Sequence, residues 1–242
     1  HRHLPGLRKF ALGGADQHPS PPAGAEVPEH DRVLAVSRDA QTIFEAFERT
    51  ALICGDKPAL QMRRKGRWLC YSYGESLAAT ADIARRFMES GLETGDRVVI
   101  CGENSPEWGL TYLSAMRAGL TVVPLDPQMP SQEVLGCARF ADAKMICAGT
   151  TTFDSLFSAS EKDARDRLPI VCLQEPFIPR PGASCEDGPR VNVREDQIAS
   201  ILFTSGTTLA PKAVPLTHAN FLSNVRSLLE VHPLGPRDRY VS

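Results

Sequence analysis

Arg97-Val98-Val99-Ile100-Cys101 carries four apolar residues in succession and no polar alternation, which is the pattern of a strand buried on both faces. Such a strand needs a layer of helices above and below it. The surrounding sequence supplies them. Ser105-Pro106 reads as a helix cap followed by proline in the first turn, and Gly109, Tyr112, Leu113 and Met116 then share one helical face that ends at Gly119. Thr121 to Pro124 is a second strand, the proline-rich stretch Asp126 to Pro130 a turn, and Ser131 to Phe140 another helix. Strands at Lys144 to Ala148 and Ile170 to Leu173 continue the alternation, and Ile198 to Phe203 is a further buried strand. This order predicts an α/β fold with a mainly parallel sheet flanked by helices.

Upstream, Thr42-x-x-Glu45 and Ser72-x-x-Glu75 fit capping boxes. The first opens a helix carrying Ile43, Phe44, Phe47 and Ala51 and ending near Gly55. The second opens one carrying Leu77, Ala81, Ala84 and Met88 and stopping at Gly91. Between them, Ala59 to Met62 and Trp68 to Tyr71 read as short strands around a basic turn at Arg63 to Gly66. Residues 1–38 are rich in proline, glycine and histidine and lack periodicity, so they are expected to be a disordered tail or linker. Residues 39–242 are then one folded unit. The stretch Glu175 to Arg190, heavy in proline and glycine, is a surface excursion.

Composition excludes several function classes. A net charge of -2 with scattered cations gives no reason to expect nucleic acid, and Arg63-Arg64-Lys65 reads as a solvated turn. Seven cysteines without a Cys-x-x-Cys pair argue against a disulfide framework or structural zinc and for a reducing, cytoplasmic setting. His1 and His3 sit too near a free end to be metal ligands. No apolar stretch is long enough to span a bilayer.

The segment with the most chemistry is Thr204-Ser205-Gly206-Thr207-Thr208-Leu209-Ala210-Pro211-Lys212-Ala213. Four hydroxyls, a glycine and one lysine follow a buried strand, and in such sheets ligands sit beyond the carboxyl ends of strands. A donor-rich loop with one ammonium suits a multiply charged anion such as the triphosphate of ATP. It is no Walker A motif, since no Gly-Lys-[Ser/Thr] closes it, and no dinucleotide fingerprint is present.

The loop resembles the phosphate-binding signature of the adenylate-forming superfamily, which includes acyl-CoA synthetases, adenylation domains of peptide synthetases and luciferases. That signature is commonly written Thr-Ser-Gly-Thr-Thr-Gly-x-Pro-Lys-Gly. Here Leu209 and Ala213 stand in place of two glycines. Three further stretches are collinear with the family: Gly95-Asp96-Arg97-Val98 with Asn104-Ser105-Pro106-Glu107, Ala118-Gly119 through Pro124-Leu125, and Leu216-Thr217-His218-Ala219-Asn220-Phe221. The last is similar to long-chain fatty acyl members. Tyr73-Gly74-Glu75-Ser76 and Thr94-Gly95-Asp96 look like later family motifs but precede the phosphate loop. Glu75 is therefore read as a capping residue and Asp96 as a turn residue.

The resemblance implies ATP-dependent activation of a carboxylate through an acyl-adenylate, then thioester formation with CoA. Thr204, Ser205, Gly206, Thr207, Thr208 and Lys212 would contact ATP phosphates, Thr204 a magnesium ion, and His218 the carboxylate substrate. A fatty acid and CoA, or an acyl carrier protein, are the implied partners, with peripheral membrane contact. The family's adenine-stacking loop, metal-binding glutamate, ribose-binding aspartate and C-terminal domain come later than Ser242. The chain is thus expected to be an N-terminal fragment, to carry no catalytic residue of its own and to be inactive alone. A degenerate, non-catalytic binding module of the same fold is the alternative that Leu209 and Ala213 motivate.

Overall fold

The computed structural model describes residues 35, 39–162, 168–174, 188–189, 191–204 and 212–231. Apart from Ala35, the predicted tail lies outside the described residues, as does most of the excursion after Glu175. The elements in chain order are α1 (Ile43–Cys54), β1 (Pro58–Arg64), β2 (Arg67–Ser72), α2 (Tyr73–Glu89), β3 (Arg97–Cys101), α3 (Pro106–Arg117) and β4 (Thr121–Leu125). They continue with α4 (Ser131–Phe140), β5 (Ala143–Ala148), α5 (Thr150–Lys162), β6 (Ile170–Cys172), β7 (Ile198–Thr204), β8 (Lys212–Thr217) and α6 (His218–Val231).

Six strands form one sheet in the order β6-β5-β3-β4-β7-β8, parallel except for the final β7–β8 pair. The α/β expectation is borne out. Burial follows the pleat. Val98, Ile100, Val122, Met145 and Cys147 face a core shared with α2 and α3, while Val99, Cys101, Val123, Ile146 and Ala148 face a second core under α4 and α5. The chain steps from β3 to β4 in one direction and from β4 back to β5 in the other, which puts the connecting helices on opposite faces.

Local sequence explains the helix starts. Ser72 Oγ accepts from the Glu75 amide and the Glu75 carboxylate accepts from the Ser72 amide, a complete capping box. At α1 the reciprocal arm moves by one residue: Thr42 Oγ1 accepts from Glu45 N–H, but the Glu45 carboxylate takes the Gln41 amide. Ser105 caps α3 with Pro106 inside the first turn. Asp96 is a turn residue, its carboxylate accepting from Glu93 N–H.

Two elements escape the sequence patterning. Helix α5 is nearly all threonine, serine and charge around Phe153, Leu156 and Phe157, yet Leu156 is fully buried in the α4–α5 core. Strand β8 contains Pro215, a poor strand former. It is tolerated because β8 is the sheet's edge, where one side of the ladder needs no amide. The basic turn is only partly solvated. Both oxygens of the buried Glu107 carboxylate accept from the Arg64 guanidinium at 2.8 Å, tying the β1–β2 hairpin to α3.

Candidate functional site

The hydroxyl-rich loop connects β7 to β8. In the antiparallel ladder Thr204 lies opposite Lys212, Phe203 opposite Ala213 and Leu202 opposite Val214. Cross-strand partners in such a ladder keep their Cα atoms about 4.5–5.5 Å apart. The first hydroxyl of the signature and its one ammonium-bearing residue are therefore brought together at the mouth of the loop, and both are exposed. Ser205, Gly206, Thr207 and Thr208, like Leu209, lie outside the described residues.

Several side chains hold β7 in place, and the loop's local sequence does not announce them. Its backbone pairs with β4 only at Val122–Ser200. Two side-chain bonds supplement this: the Tyr112 and Ser200 hydroxyls lie 2.8 Å apart, and Thr121 Oγ1 donates to the Ile198 carbonyl at 2.9 Å. Phe203, one residue before the signature, makes an edge contact with Phe140, ring centroids 5.9 Å apart. Tyr112 is legible as part of an apolar helix face, whereas its bond to a strand 88 residues away has no local signal.

Ala213, one of the two departures from glycine, sits in regular strand register. Among the described residues only Lys65 and Asp142 combine a side chain with positive φ. The extra methyl at 213 therefore carries no backbone strain.

His218 opens α6, whose first turn is closed by reciprocal bonds between Thr217 and Asn220. Its imidazole is 1% exposed, and Nδ1 accepts from the Ile43 amide at 3.3 Å. That amide is one of the unsatisfied donors at the start of α1. Burial pushes the His218 pKa down to about 4, so the ring is neutral at physiological pH with its proton on Nε2. The contact fastens α6 to α1, and Arg226 reinforces it by donating to the Ala40 carbonyl at 2.9 Å. Cys101 and Cys147, raised by burial to about 11 and about 12, are not thiolates at neutral pH. Among the described residues no group of three His, Cys, Asp or Glu could hold a metal ion, and no helix is long and apolar enough to cross a membrane.

Comparison with known proteins gives this geometry a context. The chain is 26% identical over 232 residues to long-chain-fatty-acid–CoA ligase 5 of Rattus norvegicus, covering 86% of this chain and 34% of the relative. It is 29% identical over 166 residues to a nonribosomal peptide synthetase of Ceriporiopsis subvermispora, covering 66% of this chain and 6% of that protein. The chain thus spans about a third or less of the length of these relatives. Among solved structures, a fatty acyl-adenylate ligase from L. pneumophila in complex with acyl adenylate and pyrophosphate superposes with a TM-score of 0.66 at 18% identity. That match covers 80% of this chain and 33% of that one, and it shows a shared fold. The family model for AMP-binding enzyme matches residues 47–242, from within α1 through the loop and α6, so the chain belongs to the AMP-binding, adenylate-forming family.

Proposed function

We propose that the β7–β8 loop cradles the β- and γ-phosphates of ATP in an enzyme that activates a fatty acid and passes it to CoA. The observation that carries this reading is the in-register pairing of Thr204 with Lys212. It sets a hydroxyl and an ammonium on either side of a loop whose sequence is otherwise Ser205, Gly206, Thr207 and Thr208 followed by Leu209, Ala210 and Pro211. A carboxylate oxygen attacks the α-phosphorus, the bond to the β-phosphate oxygen breaks, and pyrophosphate leaves. The CoA thiol then gives up its proton, its sulfur attacks the acyl carbon, and AMP departs. The loop's task is to orient the triphosphate and neutralise charge on the departing pyrophosphate.

Lys212 acts as a point charge, and the loop amides and hydroxyls supply directed bonds. A bound magnesium ion would supply further charge neutralisation on the phosphates. The Thr204 hydroxyl, a hard oxygen of the kind such an ion accepts, would be this chain's contact to it. His218 enters as a structural residue holding α1. The fatty acid is favoured by the rat relative and by Thr217-His218-Ala219-Asn220-Phe221, and the acceptor is CoA, with an acyl carrier protein as the variant.

Leu209 favours a second reading, a degenerate module that keeps the fold without binding nucleotide. If the chain needs positive φ there, leucine costs on the order of 1–2 kcal/mol. Calorimetric titration with Mg-ATP separates the two. The first reading expects weak binding that Lys212→Ala lowers about tenfold, or about 1.4 kcal/mol. Absence of heat with the wild-type chain selects the second.

A further inference from the structure

The β1–β2 hairpin concentrates positive charge on a chain that is acidic overall. Residues 58–72 contain Arg63, Arg64, Lys65 and Arg67 and no aspartate or glutamate, although acids outnumber lysine and arginine 29 to 27 across the chain. Arg64 is consumed by Glu107. Arg63, Lys65 and Arg67 are exposed, and their side chains make no hydrogen bond or ion pair among the described residues.

The turn between the strands is tight. Lys65 and Gly66 both have positive φ, 48° and 79°, in a two-residue connection between the paired Arg64 and Arg67. One step from the turn, Trp68 lies directly across from Arg63, so the two share a face of the ribbon, and Trp68 is 70% exposed. The opposite face, with Leu60 and Tyr71, packs on the core. Arg64–Glu107 fixes the ribbon to α3, so the tip is presented by a held element.

A large indole left in water beside Arg63, with Lys65 at the turn and Arg67 exposed at the tip on the other face, fits one environment well. At a bilayer interface the ring sits at headgroup level and the cations meet anionic headgroups. A two-stranded ribbon offers no groove for a peptide, and a lipid surface needs none. The absence of acids from the whole hairpin is charge complementarity to an anionic plane. We infer that the hairpin tip, Arg63, Lys65, Arg67 and Trp68, docks the protein on membranes bearing anionic lipid.

The test is sedimentation of the 242-residue chain with vesicles of phosphatidylcholine alone or with ~30% phosphatidylserine, at low salt, together with tryptophan emission. The chain has two tryptophans, so Trp108→Phe leaves Trp68 as the reporter. Binding is expected only with phosphatidylserine, with a blue shift of the Trp68 emission. The triple variant Arg63→Gln/Lys65→Gln/Arg67→Gln should lower the partition coefficient about 100-fold, near fivefold for each cation. Trp68→Ala should weaken binding with the thermal midpoint unchanged, an independent arm should the triple variant fail to fold. Equal binding to both vesicles, wild-type binding by the triple variant, or no blue shift overturns the inference. So does retention of single-stranded RNA, lost in the triple variant, without vesicle binding; that outcome assigns the tip to nucleic acid.

Discussion

Acidification should loosen the α1–α6 clamp by an amount that follows from one imidazole. Unfolded, the His218 ring titrates near its ordinary 6.5; folded, burial holds it to about 4. Above pH ~6.5 it is neutral in both states and costs nothing. Below that the unfolded chain takes a proton that the folded chain refuses, so stability falls as pH drops toward the folded value. Between pH ~7.5 and ~5 the loss is about 2 kcal/mol, from about 1.4 kcal/mol per unit over the window in which the two states differ. The refusal has a structural cause: a protonated Nδ1 would point a hydrogen at the Ile43 amide, which needs an acceptor.

His218→Asn replaces Nδ1 by a non-titrating oxygen at a similar reach. Its cost in packing is the same at both pH values, so it cancels in the comparison. The other five histidines, His1, His3, His18, His30 and His232, lie outside the described residues and are common to both proteins. Urea unfolding at the two pH values should show the wild type losing about 2 kcal/mol more than the variant. Equal losses, or an NMR titration of the ring with a midpoint near 6.5, would refute the reasoning.

Other perturbations have defined outcomes. Arg64→Met strands the Glu107 carboxylate, whose side chain is 4% exposed; since Arg64 itself is 38% exposed, the buried-pair penalty is discounted to about 2 kcal/mol. A thermal midpoint lower by roughly 4–8 °C is expected, and an unchanged one would show the pair to be idle. Tyr112→Phe leaves the buried Ser200 hydroxyl without its partner and should cost about 1 kcal/mol in urea unfolding, whereas a neutral result would remove Tyr112 as the anchor of β7.

Elements whose signals are local were legible. The two-sided burial of Val98 to Cys101, the Ser72–Glu75 box and the Ser105-Pro106 start each encode their structure within a few residues, and the parallel sheet follows from their order. Helix α5 was hidden because threonine and serine mask the spacing of Phe153, Leu156 and Phe157, and β8 because proline marks it as a turn. The site divides the same way. Thr204 and Lys212 could be named from the motif, but their register depends on a ladder closed across the loop. The partners of Arg64 and His218 lie 43 and 175 residues distant, and no local pattern carries that information.

The phosphate cradle is tested most directly by mapping backbone amide shifts of the isotopically labelled chain during titration with Mg-ATP. Saturable shifts are expected, concentrated at Ser205, Gly206, Thr207 and Thr208, with Thr204 and Lys212 beside them, and weakened in Lys212→Ala. Shifts centred elsewhere, or none at those amides at millimolar nucleotide, would contradict the cradle.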